Sequence, residues 1–324
     1  MPDSPGGRRI RRAPDSPGGR RIRRAPARPL HGRTAVVTGA ARGIGEALAH
    51  SLSHAGMRVA LLGREKAALQ RAAESLPGPS ICVECDITDR TALAEAARRV
   101  AAELGPADVV VANAGIAVSG PFGRTSGELW QRVIDVNLIG SANTARAFLP
   151  QLTATRGYFL QIASTAAFGA APMMSAYCAS KAGAESFALA LRGEAEPDGV
   201  QVGIAYLHWT GTDMLTGIDD HPVLAALRRN QPRPARRVHS PDQVARWLTR
   251  GIAHRTPNIY APPWLRWCQP LRPLFPALVA RATRRELRDL PREDTSSPAE
   301  VLGVGGRADW NASRASRPAA RDDR

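Results

Sequence analysis

The chain has 324 residues with 44 basic and 29 acidic side chains, a formal net charge of +15. That length allows one sizeable α/β domain plus tails. No apolar run reaches the roughly 18 residues of a membrane-spanning helix, and the start has no flanked apolar stretch of a secretory leader, so a cytoplasmic protein is expected, with membrane association left open.

The charge is uneven. Residues 1–33 hold ten Arg against two Asp, residues 228–324 hold 20 Arg against nine acids, and the middle is mildly acidic. Basic flanks around an acidic core do not describe a folded nucleic-acid face, so no specific nucleic acid is expected. They can attract anionic lipid, or simply reflect arginine-rich low-complexity sequence. Four cysteines, Cys82, Cys85, Cys178 and Cys268, are too few for a disulfide framework. Cys82 and Cys85 fall on opposite faces of a strand and lack a second Cys or His pair, so no metal site is expected.

In chain order, residues 2–13 and 14–25 are the same twelve-residue unit, Pro-Asp-Ser-Pro-Gly-Gly-Arg-Arg-Ile-Arg-Arg-Ala. Its Pro, Gly and Arg cannot bury a core, so residues 1–32 read as a disordered arm. From Thr34 apolar runs and amphipathic stretches alternate. Strands are predicted near 34–38, 58–62, 80–85, 108–112, 157–163, 201–206 and 257–260. Helices are predicted near 43–55, 65–76, 90–104, 127–151, 175–197 and 241–254. This alternation predicts a doubly wound parallel sheet (a Rossmann fold) in one domain, residues 33–262, with ligands at the carboxyl ends of the strands.

The first strand leads into Gly39-Ala40-Ala41-Arg42-Gly43-Ile44-Gly45 and then a helix. Strand, glycine turn and helix N-terminus in that order form a phosphate-binding unit. The second strand ends Leu61-Leu62-Gly63-Arg64, with no carboxylate for a ribose 2′-OH. Arg64 and Arg42 instead offer two guanidiniums to a 2′-phosphate, which favours NADP(H) over NAD(H). On the helix predicted at 175–197 Tyr177 and Lys181 are four apart and share a face, where an ammonium can lower a phenol's pKa. Only Lys66 and Lys181 are lysines among the basic residues. A lysine kept there, where the chain otherwise uses arginine, suggests chemistry.

After Tyr260 the texture changes. Pro262, Pro263, Pro270, Pro273 and Pro276 forbid a continuous helix, and one can resume from Ala277 to Leu290. Residues 263–290 read as a flap that packs its aromatics on the domain or across a dimer. Alternatively they are a membrane-surface element, with Trp264 and Trp267 at the interface and Arg266, Arg272, Arg281, Arg284 and Arg285 facing anionic headgroups. Residues 291–324 read as a disordered tail.

Thr38-Gly39-(x)3-Gly43-Ile44-Gly45 together with Tyr177-(x)3-Lys181 resembles the short-chain dehydrogenase/reductase family in its compact single-domain branch, over roughly residues 33 to 262. The resemblance implies a catalytic set of Asn137, Ser164, Tyr177 and Lys181. Tyr177 would be the acid/base, Lys181 would lower its pKa and hold the nicotinamide ribose, Ser164 would orient the carbonyl and Asn137 would join a proton relay. It implies a cofactor set of Gly39, Arg42, Gly43, Ile44, Gly45, Arg64, Asp86 (on adenine), Ile87, Asn113-Ala114-Gly115, Tyr177, Lys181 and Thr212 (on the carboxamide). It also implies a homo-oligomer, a dimer or tetramer. The family's Asn-Asn-Ala-Gly reads Ala112-Asn113-Ala114-Gly115 here. The usual Pro-Gly after the sixth strand reads Leu207-His208, which leaves that loop's geometry, and a contact from His208, open.

The implied activity is hydride exchange between a nicotinamide and a ketone or secondary alcohol. The stretch after Ser164 (Ala167, Phe168, Ala170, Ala171, Met173, Met174) and the expected cap, residues 214–230, are apolar, which favours a hydrophobic substrate. A cofactor-binding regulatory protein, or a membrane-tethered one on the same fold, is the alternative.

Overall fold

The computed structural model describes residues 28–219, 222–229, 231–289 and 299–315. The duplicated arm lies outside them. The strands are β1 (Thr34–Thr38), β2 (Arg58–Gly63), β3 (Ser80–Glu84), β4 (Val109–Ala112), β5 (Ala117–Ser119), β6 (Tyr158–Ser164), β7 (Gln201–Leu207), β8 (Asn258–Ala261) and β9 (Glu300–Leu302). All but β5 and β9 join one parallel sheet in the order β3-β2-β1-β4-β6-β7-β8. The order reverses beside β1, so a crevice opens at the carboxyl ends of β1 and β4.

The helices are α1 (Gly43–His54), α2 (Lys66–Glu74), α3 (Arg90–Leu104), α4 (Gly127–Ile134), α5 (Gly140–Thr155), α6 (Ser175–Ala195), α7 (Asp213–Asp219), α8 (Pro222–Arg229), α9 (Arg233–Arg236), α10 (Pro241–Ala253) and α11 (Phe275–Asp289). Strand side chains alternate between two cores, as period two requires. Val36, Ala60 and Leu62 meet Leu93, Phe148 and Ala188 of α3, α5 and α6. Val37, Val59 and Leu61 meet Leu48, Leu69 and Leu248 of α1, α2 and α10. Buried Cys85 joins the first core and half-buried Cys82 packs on the second, both as free thiols. Side chains set the helix starts. Asp89 accepts from the Thr91 and Ala92 amides ahead of α3, and Ser240 from the Gln243 amide ahead of α10.

Three departures from the sequence expectation bear on the site. The long helix predicted at 127–151 is two helices joined by a π turn, Asp135–Ile139, which carries Asn137 fully buried; such single turns widen a helix locally and gather at functional sites. Residues 299–315, expected to lack structure, form β9 and a C-terminal helix, Gly303–Ala315. Here the edge of β5 supplies an antiparallel ladder from Ala117↔Leu302 to Ser119↔Glu300, Leu302 buries beside Met174 and Leu215, and Gly303 at φ 76° turns the chain into the helix.

The flap is a 3-10 run, Pro263–Leu274, continued by α11. Arg272, which faces headgroups only in the membrane-surface alternative, turns inward. It pairs with Glu185 (Nη2–Oε2 2.6 Å), donates to the Ala167 carbonyl at 2.9 Å and lies over the Phe168 ring, while the Tyr206 hydroxyl also donates to Glu185 at 2.6 Å. A buried carboxylate needs such a partner, and Arg272 supplies it from the flap. Among the described residues no helix is long and apolar enough to cross a membrane, and no group of three or more His, Cys, Asp or Glu is placed to hold a metal ion.

Candidate active site

The sequence-predicted residues, Asn137 excepted, line one cleft of about 1460 Å³ at the carboxyl ends of the strands. Its floor is the glycine turn. Gly39 and Gly43 sit at φ 64° and 58°, where a side chain is strained. A Cβ on Gly45 would come within 2.1 Å of the Gly39 carbonyl and 2.6 Å of Asn113 Nδ2. The Thr38 hydroxyl accepts from the Asn113 and Ala114 amides at 3.0 and 3.1 Å, and Asn113 Nδ2 donates to the Thr38 and Gly39 carbonyls. These bonds tie the loop after β4 to the loop after β1 and leave the first turn of α1 open to the cleft. A backbone cradle that any side chain would fill, at a helix N-terminus, fits a dinucleotide pyrophosphate.

The guanidiniums at the β2 end of the cleft all have acid partners. Arg42 pairs with Glu65, and Arg64 pairs with Asp309 of the C-terminal helix and, at 3.5 Å, with Asp86. Arg132 of α4 joins both acids, at 3.0 Å to Asp86 and 2.8 Å to Asp309. Burial works to raise the Asp86 pKa, but the Thr88 amide and Arg132 outweigh it and hold the carboxyl below its usual value. Burial likewise opposes the Arg132 charge, and its bonds to Asp309 and Asp86 override it upward.

At the other end Ser164 closes β6, and Tyr177 and Lys181 stand one turn apart on α6. Lys181 is 5 % exposed and donates to the Ile162 carbonyl at 3.2 Å. Burial pulls its pKa down to about 8. The Tyr177 phenol is pushed up to about 12 by burial, and a hydrogen bond with Ser164 works the other way. The sequence expectation was a phenol lowered by Lys181. The ammonium lies 5.7 Å from the Tyr177 ring centroid and is itself desolvated, so burial prevails. The Asn137 side chain exchanges hydrogen bonds with the Ile116 amide and carbonyl at 2.8 and 2.9 Å and donates to Ser180 at 2.9 Å. It backs the set from behind the cleft wall. Gly115 leaves room for it, since a Cβ there would lie 3.1 Å from Asn137 Oδ1 and 3.4 Å from Lys181 Nζ.

Beyond Ser164 and Tyr177 the cleft is apolar. Met174, Cys178, Leu215, Ile218 and Leu224 bury together there, with Ala166, Ala171, Trp209 and Met214 against them. His208 lines this end and is tied on both nitrogens, to Thr165 Oγ1 at 2.9 Å and to the Ala235 carbonyl at 2.8 Å. A carbonyl only accepts, so Nε2 carries the proton and the Thr165 hydroxyl donates to Nδ1. Burial drops the His208 pKa from 6.5 to about 4. The folded state therefore binds fewer protons than the unfolded chain across that window, and stability falls as pH drops from 6.5 towards 4. His208→Gln is expected to flatten this part of a plot of urea midpoint against pH; an unaltered plot contradicts the assignment.

Arg132 and Asp309 are site residues that sequence reasoning missed. Neither lies in a motif, and the tail had no pattern long enough to suggest that it docks.

The model of the family described as short chain dehydrogenase matches residues 33–222. Glycine betaine reductase of Emericella nidulans is 36% identical over 191 residues, 58% of this chain but only 15% of that much longer protein. Meso-2,3-butanediol dehydrogenase of Serratia marcescens is 32% identical over 186 residues, 57% of this chain and 74% of its own. A crystal structure of a short-chain type dehydrogenase/reductase from Mycobacterium marinum superposes with a TM-score of 0.65 at 26% identity, covering 71% of this chain and 94% of that one. A metagenomic short-chain oxidoreductase in complex with NADP superposes at 0.59 with 27% identity, covering 71% and 97%.

Proposed function

The chain belongs to the short-chain dehydrogenase family, enzymes that act on CH–OH groups with a nicotinamide cofactor, and we propose that it interconverts a hydrophobic ketone and its secondary alcohol with NADP(H). The observation that carries this reading is the apolar cluster of Met174, Cys178, Leu215, Ile218 and Leu224 immediately beside Tyr177. A bound nicotinamide would supply or accept the hydride. The chain's own part is to seat the carbonyl and move one proton. Ser164 orients the carbonyl oxygen where charge develops. Tyr177, with its phenol near 12, holds its proton at neutral pH and is poised as the acid in the reducing direction. Lys181 keeps positive charge beside the phenol, and Asn137 braces the Lys181 side of the relay. For the cofactor, Gly39, Gly43, Ile44 and Gly45 would floor the pyrophosphate site, Asp86 and Ile87 would meet the adenine, and Asn113, Ala114, Gly115 and Thr212 would line the ribose and nicotinamide path. Arg64 and Arg42 would hold a 2′-phosphate once released from Asp309 and Glu65. Rate constants over a series of methyl ketones test the substrate class: kcat/KM should climb with chain length, and equal turnover of small sugar ketones would sink it.

Two surface features support finer readings. Trp267, Leu271, Leu274 and Leu278 are more than half exposed on the flap, Arg281 and Arg284 follow on α11, and residues 263–284 contain no acid. Leu278 also lines the cleft, so this face rims the substrate entrance. We read it as a contact for anionic membrane. Vesicles containing phosphatidylglycerol should sediment the protein while phosphatidylcholine vesicles do not, and Trp267→Ala should weaken that binding several-fold; equal sedimentation with both lipids contradicts the reading. Ile139 and Leu189 also stand exposed, and a homo-oligomer that covers them would appear in light scattering as a multiple of the 34.6 kDa chain.

A further inference from the structure

The C-terminal helix runs along the cleft from the loop after β7 to the loop after β2. Gly303, at its start, lies on the loop after β7, where a Cβ would come within 2.9 Å of the Met214 amide nitrogen. Gly305 lies over the glycine turn, where a Cβ would be 3.3 Å from Arg42 Cδ. Asp309 reaches the loops after β2 and β3. Its carboxylate pairs with Arg64 and accepts from Arg132 Nε and Nη2, both at 2.8 Å, and its main-chain carbonyl accepts from Arg64 at 3.1 Å. Loop after β7, glycine turn, loop after β2: this is the path that a dinucleotide takes across the fold.

Charge makes the overlap specific. Arg42, Arg64 and Arg132 face Glu65, Asp86 and Asp309, so three guanidiniums meet three carboxylates. Such a cluster offers little net attraction to a further anion. Glu65 and Asp86 come from the dinucleotide fold itself, whereas Asp309 arrives on the tail. Its side chain is only 10% exposed, as close a fit to the two guanidiniums as a bound phosphate would need.

Resting on the NADP(H) reading above, we propose that β9 and the C-terminal helix form a displaceable cover of the cofactor cleft, in which the Asp309 carboxylate takes the place of the 2′-phosphate and competes with NADP(H) for Arg64. The cover discriminates between cofactors as well as delaying both. Any dinucleotide must lift the start of the helix, Gly303 and Gly305, off the loop after β7 and the glycine turn, but only one with a 2′-phosphate must also take Arg64 from Asp309.

The test compares NADPH and NADH dissociation constants for the full chain, Asp309→Asn and Leu302→Asp. It adds amide hydrogen exchange over residues 300–315 with and without NADPH. Asp309→Asn should tighten NADPH about tenfold at low salt and leave NADH within about twofold. Leu302→Asp puts a charge where Leu302 is buried, frees the cover and should tighten both nucleotides. NADPH should speed exchange over 300–315 in the unsubstituted chain. NADPH binding that is unchanged or weaker in Asp309→Asn, or exchange slowed by NADPH, would overturn the proposal and make the helix part of a closed cofactor site. Failure of all three chains to bind either nucleotide would overturn the NADP(H) reading itself, and the cover with it.

Discussion

Tyr177→Phe is expected to lower turnover by about 10²- to 10⁴-fold, the usual worth of a positioned general acid, while nucleotide affinity stays within about twofold. The substitution removes one oxygen and leaves the ring that packs against the apolar cluster. Burial holds the phenol near 12, so at neutral pH almost every molecule carries the proton that reduction needs. The reverse reaction needs the phenolate. Its rate should therefore rise about tenfold per pH unit through the neutral range while reduction stays flat. Steady-state rates in both directions, with nucleotide affinity measured separately, check this. A Tyr177→Phe enzyme with wild-type turnover would remove Tyr177 from the chemistry.

Gly45→Ala should abolish nucleotide binding and destabilise the fold. The added methyl would lie 2.1 Å from the Gly39 carbonyl and 2.6 Å from Asn113 Nδ2. Neither can retreat cheaply, because Asn113 Nδ2 donates to that same carbonyl at 3.2 Å and the Asn113 amide is held by Thr38. Overpacking of this kind costs about 1–3 kcal/mol or more. The relief available is to move the turn off α1, which takes the open amides away from the pyrophosphate. Thermal unfolding and nucleotide titration read the two effects. Gly123→Ala is the control, since a Cβ there meets nothing within 4 Å, and it should change neither. Wild-type affinity in Gly45→Ala would mean that the turn is not the cradle.

What the sequence shows and what it hides divide along physical lines. The alternation of strands and helices, the glycine turn and the pairing of Tyr177 with Lys181 are legible because they rest on short-range geometry: period two along strands, and four residues per shared helix face. The π turn at Asp135–Ile139 is not, because one extra residue per turn leaves the apolar pattern almost unaltered. The phenol's direction is not either. Sequence places an ammonium near Tyr177, but whether charge or desolvation wins depends on burial that only the fold sets. Arg272 reads as a headgroup contact until Glu185, 87 residues away, is seen beneath it. Asp309 lies 177 residues from Arg132 in a tail with no periodic pattern. No local signal joins them, and Arg64, which reads as a free cation, is shared between Asp86 and that tail.

The central claim is that this chain passes a hydride between a nicotinamide and a carbonyl carbon while Tyr177 passes the proton. The most direct measurement follows reduced nicotinamide and alcohol together in one reaction of purified protein with an apolar ketone, NADPH against NADH. The account predicts one alcohol formed per NADPH consumed, slower consumption of NADH, and loss of both signals in Tyr177→Phe. Consumption of neither nucleotide with any carbonyl, apolar or polar, would contradict it and return the weight to a binding role for the cleft.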